Sequence, residues 1–377
     1  MQIDFFNPRS VICLIAILQG AIFAGLLLWR FIRKGQKADF WLALLLVVLC
    51  LGLITPLIGF ANVYDLNQWL TYFPFWIAYS NGVLVWLYTL HLTDSKRRFR
   101  AKDLFLFIPS TAYLAFRFFL FAHDLEWKEW FSRNYESFFG GFIFVTQLIW
   151  NLVFLFLAIR HYRRYRAWLD QNFSDTEKIK FDWLSNFLHL FTSVLLVGGI
   201  FDFTDSFLFK LSYIQYFYFE LILALLTYYL AIAGYLRSRT IELSFSPEKE
   251  SEAEDRKTLI SERELEKLKA RLKKLMEEEK PHLDPNLTLA DLSRRLGVNS
   301  VVLSYTINSG FDQNFNDFVN GFRVAEVVEK LETSDDSTLL ALAFECGFNS
   351  KSTFNRAFKK ITGRSPREFQ INLVSNQ

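Results

Sequence analysis

The chain is short of the residues that build stapled secreted domains and metal enzymes. It has 3 cysteines, 2 methionines and 5 histidines in 377 residues. Cys13 and Cys50 stand in apolar runs, Cys346 lies near the other end, and no CxxC or CxxxC spacing occurs. A disulfide framework and a thiolate zinc site are therefore disfavoured. Charge is scarce too, at 21% of residues, against about 25% in soluble domains. No HxxxH or GxSxG motif accompanies the histidines, so no hydrolase has its catalytic set and the chain is expected to be a non-enzyme without metal or cofactor. His123, beside Asp124, Glu126 and Glu129, is a lone imidazole and is expected in a solvated loop.

Apolar residues are abundant. The chain is 52% hydrophobic and 18% aromatic, with 42 Phe, and its mean hydropathy is +0.17. Seven stretches are long enough to span a bilayer, which takes roughly 20 apolar residues: 10–30, 40–60, 70–92, 104–122, 138–159, 183–203 and 213–236. The first is expected to stay as a membrane helix and not to be cleaved as a leader, because its basic cluster (Arg30, Arg33, Lys34, Lys37) follows the run. Alternate connections differ sharply in charge. Those at 31–39 (with Arg30), 93–103 and 160–182 carry fifteen Lys and Arg, whereas the opposite side carries four: Arg9, Lys128, Arg133 and Lys210. The positive-inside rule puts the N-terminus outside and the C-terminus in the cytoplasm. Pro56, Pro74 and Pro109 fall inside expected spans, where proline kinks are tolerated.

Polar groups in spans are where function is sought first. Gln19, Asn81, Gln147 and Asn151 fall near mid-depth. They either hold helices together by hydrogen bonds or form the floor of a small-molecule pocket. Arg117 and Glu220 are charges at similar depth and of opposite sign, so the sequence offers an ion pair, with Arg117 snorkelling outward alone as the alternative.

Charge density steps up at residue 237. Residues 237–280 hold 12 basic and 12 acidic groups, and 281–377 hold 10 and 11. This divides the chain into a membrane domain (1–236), a charged linker (237–280) and a soluble domain (281–377). Residues 237–258 are expected to be a connector. Ser261 and Glu264 then form a capping-box pattern, and Leu265, Leu268, Leu272 and Leu275 follow with an a/d rhythm. That seam packs on the next domain, makes a homodimer contact, or does both.

After Pro285 a small helix, a glycine-containing turn and a second helix can be traced twice, about 50 residues apart. The first pair runs Leu289–Leu296, turn 297–299, Ser300–Asn308. A long helix, Phe315–Leu331, precedes the second: Thr338–Glu345, turn 346–349, Ser350–Ile361. In the last helix Phe354, Ala357, Phe358 and Ile361 recur at core spacing. Ser352, Asn355, Arg356 and Lys359 lie opposite, able to donate to phosphates and base edges. Ser350 begins that helix, where free amides favour a phosphate, and Lys351 flanks it. Residues 350–377 carry six basic groups against Glu368 alone. In the first pair, Val301, Ser304, Tyr305 and Asn308 form the exposed face.

The stretch Ala343-Phe344-Glu345-Cys346-Gly347-Phe348-Asn349-Ser350, continuing through Phe354, Arg356 and Lys360 to Thr362-Gly363 and Ser365-Pro366, resembles the DNA-binding domain of AraC/XylS-family bacterial transcription regulators. Leu287–Leu292, Leu303-Ser304 and Asn320–Val324 also match, so the likeness covers about 283–372. It departs at Tyr305, where the family often has a basic residue, and at Val327, where alanine is usual. Seven spans ahead of such a domain also resemble the architecture of membrane-bound members. The resemblance implies binding of double-stranded promoter DNA and contact with RNA polymerase in activation.

The expectation is thus an all-α protein: a polytopic seven-helix transmembrane bundle, a charged helical linker and a soluble tandem helix-turn-helix domain. It would act as a transcription regulator in the bacterial cytoplasmic membrane, with the membrane domain sensing an unknown small-molecule or envelope signal. The alternative is a membrane receptor or transporter-like protein whose soluble end binds a protein partner.

Overall fold

The computed structural model describes residues 4, 7–70, 72–177, 179–237, 245, 261–333 and 338–375. Among them all regular elements are helical, and Phe173 and Thr288 add an isolated antiparallel bridge. The chain divides into two packed units, Met1–Arg163 with Asp182–Ser244, and Arg164–Phe181 with Phe245–Gln377. Apart from Arg237 and Phe245, the connector expected at 237–258 lies outside the described residues.

The first unit contains α1 (Pro8–Lys34), α2 (Lys37–Phe60), α3 (Ser80–Thr93), α4 (Ile108–Phe121), most of α5 (Ser137–Asn172), α6 (Asp182–Phe203) and α7 (Tyr213–Arg237). Six helical segments of the described residues are long and apolar enough to cross a membrane: Pro8–Lys34, Lys37–Phe60, Ala101–Phe121, Leu125–Asn172, Asp182–Leu208 and Tyr213–Arg237. The stretch expected at 70–92 differs. It is an α-helix only over the 14 residues of α3, about 21 Å at 1.5 Å per residue and short of the ~30 Å hydrocarbon core. Pro74 has no amide proton to extend the helix backward, and Tyr79 precedes it in the left-handed region at φ 66°. Every residue of α3 except Trp86 is at least nine-tenths buried. Gly82 makes this close packing possible, because a Cβ there would lie 2.7 Å from the Asn151 carbonyl oxygen of α5. At the basic end of α1, Arg30 grips the buried Asp39 of α2 with two bonds of 2.5 and 2.7 Å, and its remaining arm donates to the Tyr235 carbonyl of α7 at 2.8 Å. A bidentate, charge-assisted pair fixes three helices at one point.

The second unit contains residues 164–181 and seven further helices: α8 (Glu262–Glu278), α9 (Leu289–Leu296), α10 (Ser300–Phe311), α11 (Phe315–Thr333), α12 (Leu339–Glu345), α13 (Lys351–Thr362) and α14 (Pro366–Ser375). Their starts follow from local chemistry. Ser261 and Glu264 close a capping box on α8, as do Thr288 and Asp291 on α9. Asn299, Thr338 and Ser350 cap α10, α12 and α13. Two apolar cores result. The first gathers Leu268, Leu272 and Met276 of α8 with Leu292, Leu303, Ile307 and Phe318. The second gathers Val324 and Val327 of α11 with Ala343, Cys346, Phe348, Phe354 and Phe358. Helix α11 runs through both. The Leu265–Leu275 seam is thus used within the chain: Leu268 and Leu272 are 7% and 0% exposed, and Leu275 packs beside them.

Candidate functional site

Helix α13 is built to be held from one side. Ser350 accepts from the Thr353 amide at 3.1 Å and fixes its start. Thr353, Phe354, Ala357 and Phe358 are buried, while Lys351, Ser352, Asn355, Arg356, Lys359 and Lys360 are exposed. Ile361, expected in the core, is 49% exposed. The helix ends one residue later at left-handed Gly363, and Phe369 of α14 packs on Phe358 instead, ring centres 5.4 Å apart. The turn before α13 is tightly constrained. Gly347 has φ +90° and a Cβ there would lie 2.4 Å from the His282 carbonyl oxygen, so only glycine fits. Asn349 donates to the Pro285 carbonyl at 2.8 Å. Within the basic cluster Lys360 is engaged, pairing with Asp317 at 2.7 Å.

Helix α10 is the weaker counterpart. Leu303 and Ile307 are buried as expected, and Val301, Ser304, Tyr305 and Asn308 are half-buried. Asn308 donates to the Ser304 hydroxyl at 3.3 Å. No Lys or Arg lies anywhere in α10, whereas α13 carries Lys351, Arg356, Lys359 and Lys360.

A segment remote in sequence lies on α13. Residues 164–181 pack in the same unit. The Glu177 carboxylate accepts from the hydroxyls of Ser350 and Ser352, and from that of Thr353 at 3.2 Å. The hydroxyls of Ser350 and Ser352, then that of Thr353 and the charge of Arg356, hold the Glu177 carboxyl below its ordinary range. Three residues earlier Ser174 is locked in place. Its hydroxyl donates to the Leu287 carbonyl at 2.7 Å, and its carbonyl accepts from Asn316 at 2.8 Å. Fully buried Arg323 reaches the Ser174 hydroxyl at 3.0 Å and the carbonyls of His282 and Asp284 at 2.8 Å each. Burial draws the Arg323 pKa down to about 10, with Asp175 and Asp284 opposing the shift, so it stays cationic at neutral pH. Asn316, Asn320 and Arg323 stand at i, i+4 and i+7, a polar stripe on one face of α11. That spacing was the available signal. Residues 164–181 carry no motif of their own.

In the first unit Asn81, Gln147 and Asn151 line one cavity of about 80 Å³, together with Trp76, Phe144 and Asp202. Asn151 also accepts from the Gly82 amide at 2.7 Å. Gln19 is elsewhere, donating to the Tyr228 carbonyl at 3.5 Å. No ion pair among the described residues joins Arg117 to Glu220: the Arg117 Nε and the Glu220 Oε2 are buried without hydrogen-bond partners, and the guanidinium lies 5.1 Å from the centre of the Tyr72 ring. The guanidinium thus lies against an aromatic face.

Comparison with known proteins bears on the second unit. Residues 292–371 match the family model described as a helix-turn-helix domain. The chain carries an AraC-type helix-turn-helix domain. Similar proteins include two described as uncharacterized HTH-type transcriptional regulators, from Staphylococcus aureus strains COL and MSSA476. Each is 29% identical over 89 residues, 24% of this chain and 12% of the relative, so the chain covers a small part of these relatives' length. No solved structure matches. A helix-turn-helix domain points toward DNA binding and away from enzymatic chemistry.

Proposed function

We propose that the protein is a transcription regulator embedded in the bacterial cytoplasmic membrane, binding promoter DNA through α13. The observation that carries this is the exposed row Ser352, Asn355, Arg356 and Lys359 on the second recognition helix of a helix-turn-helix domain. Arg356 and Lys359 supply phosphate contacts, and Asn355 and Ser352 base-edge contacts, when α13 enters the major groove. Val301, Ser304, Tyr305 and Asn308 of α10 face the neighbouring groove segment with shape and hydrogen bonds and no charge. RNA polymerase is the expected protein partner at the promoter. Six long apolar helices support membrane placement. Packing of residues 164–181 with the helix-turn-helix domain supports a shared side for both, in agreement with the excess of Lys and Arg in that connection. The cavity bounded by Asn81, Gln147 and Asn151 is the candidate site for a sensed small molecule.

The test is selection of bound sequences from random DNA by the full-length protein in lipid nanodiscs, at several salt concentrations. One enriched motif, with affinity falling steeply with salt, is expected, because phosphate contacts release counterions. The Arg356→Ala, Lys359→Ala double variant should lose the motif and reduce the salt slope by about 2. Absence of any salt-sensitive enrichment would sink the proposal. It would favour the second reading, a soluble domain that binds a protein partner, which the uncharged α10 suits.

A further inference from the structure

The segment that follows α5 does more than connect it to α6. Its hold on the second unit is polar and buried. Ser174 is 1% exposed, and its hydroxyl and carbonyl are gripped by Arg323 and Asn316, both on α11. The Ser174 amide donates to the Leu287 carbonyl at 3.3 Å, and Phe173 bridges to Thr288. This anchor brings Glu177 onto the first turn of α13, where its carboxylate accepts from Ser350, Ser352 and Thr353. Hydroxyls at a helix start, beside Arg356, are donors suited to a phosphate oxygen. Here the anion they hold belongs to the chain itself.

We infer that the segment between α5 and α6 forms a self-docking latch in which Ser174 fixes it in the Asn316–Arg323 socket and Glu177 occupies the position of a DNA phosphate on α13. The inference rests on the DNA-binding role proposed for α13. DNA and Glu177 compete for the same hydroxyls, so the apparent affinity for DNA is reduced by the fraction of molecules that are latched. The latch is continuous in sequence with α5 on one side and α6 on the other. A rearrangement that draws these helix ends apart or together pulls on Ser174 and Glu177 directly. A membrane signal then reaches the recognition helix through this segment, independently of the charged connector.

The competition is with phosphate, which every sequence has, so a random-sequence DNA duplex at low salt is a sufficient probe. The full-length protein in nanodiscs would be compared with Glu177→Gln, which keeps the shape and removes the charge. Glu262→Gln, an exposed glutamate at the start of α8, controls for the same change in net charge. Glu177→Gln should bind about tenfold more tightly than wild type, and Glu262→Gln within about twofold of it. Equal affinities for the two variants would overturn the latch. A second variant, Glu177→Cys with Ser352→Cys, should be bridged by a short bis-methanethiosulfonate, which spans the length the glutamate side chain leaves behind and joins each thiol through a disulfide. The bridged form should bind DNA at least about tenfold more weakly than the same protein after reduction. Failure to form the bridge, or unchanged DNA binding once it has formed, would also overturn the latch. If neither wild type nor Glu177→Gln binds DNA, the role proposed for α13 fails. The bridge then judges the docking alone: formation keeps it, and its absence removes it.

Discussion

Replacing Arg323 with methionine tests how the second unit is held together. The guanidinium is 0% exposed and donates to five groups on three segments: the carbonyls of His282 and Asp284 at 2.8 Å, the Ser174 hydroxyl at 3.0 Å and carbonyl at 3.5 Å, and the Asn320 side chain at 3.3 Å. Methionine fills similar space and removes the cost of burying a cation, but it leaves those acceptors buried and unpaired. A buried acceptor left unpaired costs about 1–3 kcal/mol, so the two carbonyls and the Ser174 hydroxyl together cost about 3–5 kcal/mol once the relief of the buried cation is deducted. Cys346 reports the loss. Its thiol is 0% exposed in the core beside Val324 and Val327, and burial raises its pKa to about 11, so it reacts with a thiol reagent only when that core opens. At 1.4 kcal/mol per factor of ten, Arg323→Met should accelerate Cys346 labelling by roughly 100-fold to 3,000-fold. Labelling is read by mass spectrometry of the peptide, which separates Cys346 from Cys13 and Cys50. Ser174→Ala alone removes a hydroxyl that donates to Leu287 and accepts from Arg323, and should accelerate it about tenfold. The double variant should add little to Arg323→Met, because the two side chains share one interaction. A rate for Arg323→Met within tenfold of wild type would refute the argument, and additive effects would show that Ser174 and Arg323 act separately.

Two further predictions use the same assay. His282 is 2% exposed, and burial lowers its pKa to about 4, with Arg323 and Lys280 adding to the shift and Glu326, 3.8 Å away, opposing it. The folded form therefore stays neutral while the unfolded chain takes up a proton below about pH 6.5, so stability is complete above that pH and declines as pH falls toward 4. At pH 5.5 the loss is about 1.4 kcal/mol, and labelling, normalised to a denatured control, should be about tenfold faster than at pH 7.5 unless His282→Gln removes the dependence. At the two turn glycines, Gly347→Ala should cost more than about 2 kcal/mol, because a left-handed residue gains a Cβ 2.4 Å from the His282 oxygen; Gly297→Ala, with φ +68° and open space around it, should cost only about 1–2 kcal/mol. Equal costs at the two positions would mean that the close approach to His282 relaxes freely.

Much of this protein was legible without coordinates, for reasons of local physics. Long apolar runs and the spacing of Ser261, Glu264, Thr288 and Ser350 are written into neighbouring residues, so helices and their capped starts could be placed. The face of α13 that carries Asn355, Arg356 and Lys359 follows from a 3.6-residue period and the positions of Phe354 and Phe358. Other features depend on residues far apart in the chain. The run at 70–92 is apolar enough to span, yet its helix begins only at Ser80, where neighbouring helices bury it and Tyr79 turns the backbone. Ile361 has core spacing, but Phe369 from α14 packs on Phe358 in its stead. Arg117 and Glu220 match in depth and are opposite in sign, but depth says nothing about direction around a helix, and Arg117 turns to Tyr72. The Leu265–Leu275 rhythm identifies an apolar stripe without naming its partner, which proved to be the adjoining domain. Above all, Glu177 is 173 residues from Ser350 and shares no motif with it. Periodicity and capping are local and survive in the sequence, whereas the meeting of a carboxylate with a distant helix start exists only once the chain has packed.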